Sequence, residues 1–144
     1  MTRRQLRESI FKALFRIEFN GQQEWSEQLE YHLQELMEQS VTEETVPSVS
    51  EEDIEYIRKK TQDIYDHTAE VDAEIERHTE GWAISRIGKA ELAILRLAVY
   101  EMKFDPDVPQ GVAINEAVEL TKRYCDEEAG GFVNAVLGKL AKEV

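Results

Sequence analysis

Residues 90–104 read Ala90-Glu91-Leu92-Ala93-Ile94-Leu95-Arg96-Leu97-Ala98-Val99-Tyr100-Glu101-Met102-Lys103-Phe104. At roughly 100° per residue, Leu92, Leu95 and Val99 line one flank of a helix. Ile94, Ala98 and Met102 line another. A helix that is apolar on more than one flank belongs at the centre of a core. The pattern predicts a central helix from about Ser85 to Phe104. Asp105-Pro106-Asp107-Val108-Pro109 ends it, because proline supplies no backbone donor and restricts the residue before it. Arg96, set in this apolar run, needs a carboxylate partner if it is buried.

Helical periodicity extends in both directions. Downstream, helices are expected over about Gln110–Tyr124 and Glu128–Lys142, the last with Phe132, Val133, Val136, Leu137 and Leu140 apolar. Upstream, Gly81 and Trp82 mark a bend. Before them, Ile54, Ile57, Thr61, Ile64, Thr68, Val71 and Ile75 alternate spacings of three and four, which predicts one inward face sustained over about six turns. Ser50, three residues before Asp53, predicts a capping box at its start. Ser40–Val49, containing Pro47, reads as a polar loop. Two further helices are expected, about Arg3–Phe19 and Glu24–Gln39. Asn20-Gly21 stops the first, and Leu29, Leu33, Leu36 and Met37 share a face of the second. The fold class is therefore all-α, a compact bundle of about six or seven helices. No internal repeat or low-complexity segment interrupts it.

Composition agrees. The 144 residues contain only three prolines and seven glycines, too few turn residues for a β-rich domain, and suffice for a single domain over residues 1–144. The lone cysteine, Cys125, permits no intrachain disulfide, which suits a reducing compartment. There is no apolar leader at the N-terminus and no apolar run long enough to span a membrane, so a cytoplasmic protein is expected. Net charge is −13, unusual for a nucleic-acid binder. The charge is uneven: residues 1–16 carry +4, residues 17–80 carry −15 and residues 81–144 carry −2. Salt screens repulsion from the acidic middle over about 8 Å, so a local basic patch can still act on phosphate.

Catalytic signatures are missing: no GxGxxG, P-loop, GxSxG, CxxC or HExxH occurs. Cys125 stands beside Asp126 and Glu127, whose charge raises a thiol pKa and opposes a nucleophilic role. His67 with Asp63, and His78 with Glu74, are i,i+4 pairs that suit a metal geometrically. Helical-bundle iron sites use Glu-x-x-His, and neither histidine has a glutamate three residues before it. No metal, cofactor or enzymatic activity is expected.

The first helix carries more information. Leu6, Ile10, Ala13, Leu14 and Ile17 share one arc, with Arg4, Arg7, Phe11 and Phe15 on the next and Arg3 at the border. Guanidinium groups suit phosphate, and aromatic rings offer bases a stacking surface. The same pattern also describes a core face widened by two phenylalanines and solvated by arginines.

The run Leu92–Glu101, then Val108-Pro109, Ile114-Asn115-Glu116-Ala117-Val118-Glu119-Leu120, and Phe132-Val133-Asn134-Ala135-Val136-Leu137 resembles, in that order, the bacterial NusB family of transcription antitermination factors. Arg3-Arg4-Gln5-Leu6-Arg7-Glu8 with Ala13-Leu14-Phe15 resembles the family's arginine-rich first helix. The resemblance implies a NusB-like fold of two small helical subdomains. It implies binding of boxA-type single-stranded RNA together with the ribosomal protein NusE, helping RNA polymerase read through terminators, notably in ribosomal RNA operons. It points to Arg3, Arg4, Arg7, Phe15, Glu91, Glu128, Phe132 and Asn134 as RNA contacts. Phe15 stands where the family often has tyrosine, so stacking would survive and a hydroxyl hydrogen bond would not. Asn134 reads slightly better as a packing or capping residue. Gly130-Gly131 replace the basic or polar residue usual before Phe132, and Asp126-Glu127-Glu128 make that rim acidic, which predicts weak RNA binding by the chain alone. Trp82, Arg86 and Tyr100 are candidates for a protein partner, with Trp82 and Tyr100 equally readable as core or hinge aromatics. A homodimer is compatible with the apolar faces. The alternative readings are a helical protein-binding module without RNA recognition and, since similar domains are fused to RNA methyltransferases, an enzyme accessory domain.

Overall fold

The computed structural model describes residues 1–42 and 49–143. Among them are seven α-helices and no strand: α1 (Arg3–Asn20), α2 (Trp25–Thr42), α3 (Glu51–Asp66), α4 (Thr68–Arg77), α5 (Lys89–Phe104), α6 (Gln110–Tyr124) and α7 (Glu127–Glu143). Single 3₁₀ turns cover Gln22–Glu24 and Ile84–Arg86. The all-α bundle expected from periodicity is observed. The chain forms two compact units, Met1–Asp63 and Ile64–Val144.

In the first unit, α1 packs on α2. Ile10, Ala13, Leu14 and Ile17 of α1 and Leu29 and Leu33 of α2 are buried. The expected stop at residues 20–21 is present: Gly21 has φ +94°, a backbone region that side-chain-bearing residues avoid. The second helix starts one residue later than expected, at Trp25, and runs past Gln39 to Thr42. Leu36 is half-buried and Met37 is 37% exposed, so the buried face is narrower than the leucine pattern implied. Of the expected loop Ser40–Val49, residues 40–42 are helical, while Pro47 and its neighbours at 43–48 lie outside the described residues. The capping box at α3 forms reciprocally. The Asp53 amide donates to Ser50 Oγ at 3.1 Å, and the Ser50 amide donates to Asp53 Oδ2 at 3.1 Å. Arg58 of α3 grips Glu30 of α2 through Nε (2.7 Å) and Nη2 (3.0 Å).

The three–four pattern is buried at Ile54, Ile57, Thr61, Ile64, Val71 and Ile75, with Thr68 half-buried. It is carried by two helices rather than one. His67 lies at φ −98°, ψ 12°, and its amide donates to Ile64 O (3.2 Å), three residues back. Thr68 Oγ1 donates to Tyr65 O at 2.6 Å, competing with the helical ladder. The His67 ring is held 4.4 Å from that of Phe104. Ile64 and Val71, on either side of the break, are both buried.

In the second unit α5 contacts α4, α6 and α7, and α6 pairs with α7. Every residue from Leu92 to Met102 is buried, including Arg96 and Glu101. Each fully buried leucine or isoleucine contributes about 1.5–3 kcal/mol, which makes α5 the organising element of this unit. It begins at Lys89, not Ser85, because Ile84–Arg86 winds as a 3₁₀ turn and Gly88 is extended (φ −58°, ψ 147°). Arg96 has its carboxylate: Nε donates to Asp72 Oδ1 at 2.8 Å and Nη2 to Oδ2 at 2.9 Å. The bend at residues 80–82 uses positive φ at Glu80 (56°) and Gly81 (93°). Trp82 there is 54% exposed and is not a core residue. Among the described residues, no helix is long and apolar enough to cross a membrane.

Candidate nucleic-acid interface

Thr2 organises the start of α1. The Gln5 amide donates to Thr2 Oγ1 (3.1 Å), and the Thr2 amide donates to Gln5 Oε1 (2.8 Å), a complete capping box. The N-terminal amine is tied to Asp53 Oδ2 at 3.1 Å. The first turn so fixed holds Arg3 and Arg4, both exposed, and no acidic residue. Cations at this end oppose the helix macrodipole by about 0.3–1 kcal/mol each. An acid-rich chain that places arginines there accepts a local electrostatic cost. Arg7, one turn on, is half-buried. Phe11 is 2% exposed and belongs to the core, whereas Phe15 is 36% exposed. Their rings lie 6.2 Å apart at 23°. Both readings of this arc therefore hold in part: Phe11 widens the core, and Phe15 offers a ring to solvent. Phe19, which the sequence reading passed over, continues the series 6.3 Å beyond Phe15 and is 65% exposed.

In the second unit, Glu91 is the third residue of α5 and half-buried. Its carboxylate folds back over Gly88, where a Cβ would come within 2.1 Å of Oε2. The same carboxylate acts on the Cys125 thiol. Burial, then the charge and hydrogen bond of Glu91, then Asp126, push that thiol up to about 12, which rules out a thiolate nucleophile near neutral pH. The acidic rim has a local cause. The Asp126 carboxylate accepts from the Ala129 amide at 3.0 Å, and Glu127 and Glu128 occupy the first turn of α7, where negative charge suits the dipole. Gly130 lies where α7 approaches α6 closely, since a Cβ there would meet Thr121 Oγ1 at 3.2 Å.

Glu91 and Glu128 thus both border the α6–α7 turn. Glu128 is exposed, and Phe132, one turn along α7, is half-buried. The Trp82 ring lies 6.2 Å from Phe132. Asn134 is exposed and makes no hydrogen bond among the described residues, so the packing or capping role does not apply. Arg86 is exposed. Tyr100 is 7% exposed and packs against His67 and Phe104, which leaves it little surface for a partner.

Other titratable clusters are structural in their geometry. His78 is 6% exposed rather than on an open helix face. Glu74, His78 and Glu143 bring three possible metal ligands together, a grouping that local spacing could not reveal because Glu143 is distant in the chain. Cations already occupy it: Arg77 Nη2 lies 2.7 Å from Glu74 and 2.8 Å from Glu143, and Lys103 Nζ lies 3.0 Å from Glu74. Two carboxylates balanced by two cations leave little charge to attract a divalent ion. In the first unit, Ser9 Oγ and His32 Nε2 share a 2.9 Å hydrogen bond. Burial, followed by the charge of Arg16, pulls His32 down to about 4.

Helical architecture, an arginine-led first helix and partly exposed aromatics on α1 and α7 define a class: small all-helical proteins made of two helical units. Comparison with known proteins identifies which. The NusB family model matches residues 4–142. The transcription antitermination protein NusB of Agathobacter rectalis is 47% identical over 141 residues, covering 98% of this chain and 100% of the relative. Among solved structures, NusB of T. maritima superposes with a TM-score of 0.84 at 34% identity, covering 99% of this chain and 92% of that one. A chain from a complex of the antitermination factors NusB and NusE with dsRNA superposes with a TM-score of 0.81 at 29% identity, with both chains covered in full. The chain belongs to the NusB family.

Proposed function

We propose that this chain is a transcription antitermination factor that binds boxA-type RNA together with the ribosomal protein NusE and joins the transcribing RNA polymerase complex, notably on ribosomal RNA operons. It works by binding rather than catalysis, in the cytoplasm. The observation that carries this reading is the first turn of α1, where exposed Arg3 and Arg4 stand at the positive end of a capped helix in a chain of net charge −13. The similarity to NusB from a complex with NusE and dsRNA supports it. Arg3, Arg4 and Arg7 serve phosphate and base edges. Phe15 and Phe132 offer rings, and Glu91, Glu128 and Asn134 read base edges. The exposed rings suit unpaired bases, so single-stranded RNA is the ligand proposed here.

Trp82 and Arg86 are the proposed protein contacts, since both are exposed at the bend before α5. The acidic rim Asp126–Glu128 weakens binding by the chain alone, and NusE then supplies affinity through a composite surface. The test is fluorescence anisotropy of a labelled boxA RNA against this chain, NusE and their mixture, across a salt series. The expected result is tighter binding by the mixture than by either protein alone. The acidic rim also favours a second reading, a protein-binding module without RNA recognition. NusE retained in a pull-down, with no RNA bound by the mixture, would establish that reading instead.

A further inference from the structure

The exposed face of α1 carries an aromatic ring, Phe19, beyond its arginine-rich start. At 100° per residue, Arg4, Phe15, Phe19 and Lys12 fall within about 80° of one another. Along the series Phe11, Phe15 and Phe19, exposure rises from 2% to 36% to 65%. Phe11 is locked in the core, Phe15 leans on it, and Phe19 follows one turn later. The ring centroids are 6.2 Å and 6.3 Å apart. Inserting a base between two rings needs about two stacking distances of ~3.4 Å, close to 7 Å, so bases would lie on the outward faces. Glu8, the one acid on this face, is turned toward Lys12 at 3.6 Å. Arg16 is committed elsewhere, to Gln28 Oε1 (2.9 Å) and Glu35 Oε2 (3.0 Å), so it positions α2 rather than RNA. Residues 1–16 carry net +4, which complements phosphate over the same turns.

We infer that Phe19 is a second stacking platform, which receives the base of a single-stranded RNA one step beyond the nucleotide on Phe15. This extends the proposed RNA interface and rests on that reading. Aromatic stacking of a base is sequence-tolerant. Phe19 therefore adds length to the footprint rather than base preference.

The test measures anisotropy of single-stranded RNAs that bind the wild-type chain in the presence of NusE. The RNAs are trimmed one nucleotide at a time from each end, and Phe19→Ala, Phe19→Trp and Arg7→Ala are compared with wild type. Phe19→Ala is expected to weaken binding on the order of tenfold for the longer RNAs. It should leave the shortest unchanged, and Phe19→Trp should restore affinity. An RNA duplex of equal length, whose bases offer no free face, should not distinguish Phe19→Ala from wild type. The inference is overturned if Phe19→Ala binds every single strand as wild type does while Arg7→Ala is impaired; the interface then stands without Phe19. It is also overturned if the duplex loses as much as the single strand. If the wild-type mixture binds no RNA of any length, the functional reading falls and the inference with it.

Discussion

Replacing Asp72 with alanine measures what its carboxylate contributes to holding a buried charge in the second unit. Arg96 belongs to the Leu92–Glu101 run and is 6% exposed. Its guanidinium is held by two charge-assisted hydrogen bonds to Asp72, at 2.8 Å and 2.9 Å. Breaking one side of a buried ion pair costs about 3–5 kcal/mol, because the remaining charge cannot recover its hydration. The Asp72 side chain is 22% exposed, so water reaches that end and the lower bound applies, about 3 kcal/mol. For a chain of this size that is a fall in Tm of about 6–12 °C. Arg96→Met in the Asp72→Ala background should recover most of the loss, because it removes the buried charge and keeps the apolar volume. Circular dichroism during thermal and urea unfolding reads both variants. A loss below about 1 kcal/mol for Asp72→Ala would refute the argument that Asp72 compensates the buried Arg96 charge.

Two further outcomes follow from buried polar groups. His32, ordinarily near 6.5, is pulled down to about 4 by burial first and by the Arg16 charge second, so the folded state resists its protonation. Stability is unaffected above the unfolded pKa and is lost as pH falls from about 6.5 through 4. The total is about 3 kcal/mol at ~1.4 kcal/mol per unit. Urea midpoints against pH should flatten across that interval in His32→Gln, and an unchanged slope would contradict the assignment. Thr61 is fully buried and its Oγ1 has no hydrogen-bond partner among the described residues. Thr61→Val keeps the shape and removes the stranded hydroxyl, and should raise stability by about 1 kcal/mol in urea unfolding.

Periodicity made the helices legible because burial follows helical phase. It told little about where helices pause. Ile64, Val71 and Ile75 stay buried on both sides of the His67 break, so nothing in the spacing betrays it. The late start of α5 depends on a 3₁₀ turn whose residues suit helix equally well. Arg96 announced its need for a carboxylate, but Asp72, on another helix, could not be picked from among 30 acidic residues. The arginines of α1 stood out as a basic segment in an acidic chain. Phe19 did not, since a phenylalanine next to a helix stop reads as ordinary core. Glu91 was marked by its place beside the family motif, yet its effect on Cys125 arises only when the start of α5 meets the end of α6. The acidic rim looked like an obstacle to RNA, and its positions prove to be those that cap α7.

The central claim is that the arginines of the first helix form the RNA surface. Its most direct test is the affinity of the chain with NusE for boxA RNA when Arg3, Arg4 and Arg7 are replaced together by glutamine. Arg7→Ala alone should cost about 1–3 kcal/mol if it reads a base. The triple variant should lose at least that and bind with a shallower salt dependence, because fewer phosphates are neutralised. Unfolding midpoints should hold or rise slightly, since the charges opposing the helix dipole are gone. Unchanged affinity and an unchanged salt slope in the triple variant would contradict the account.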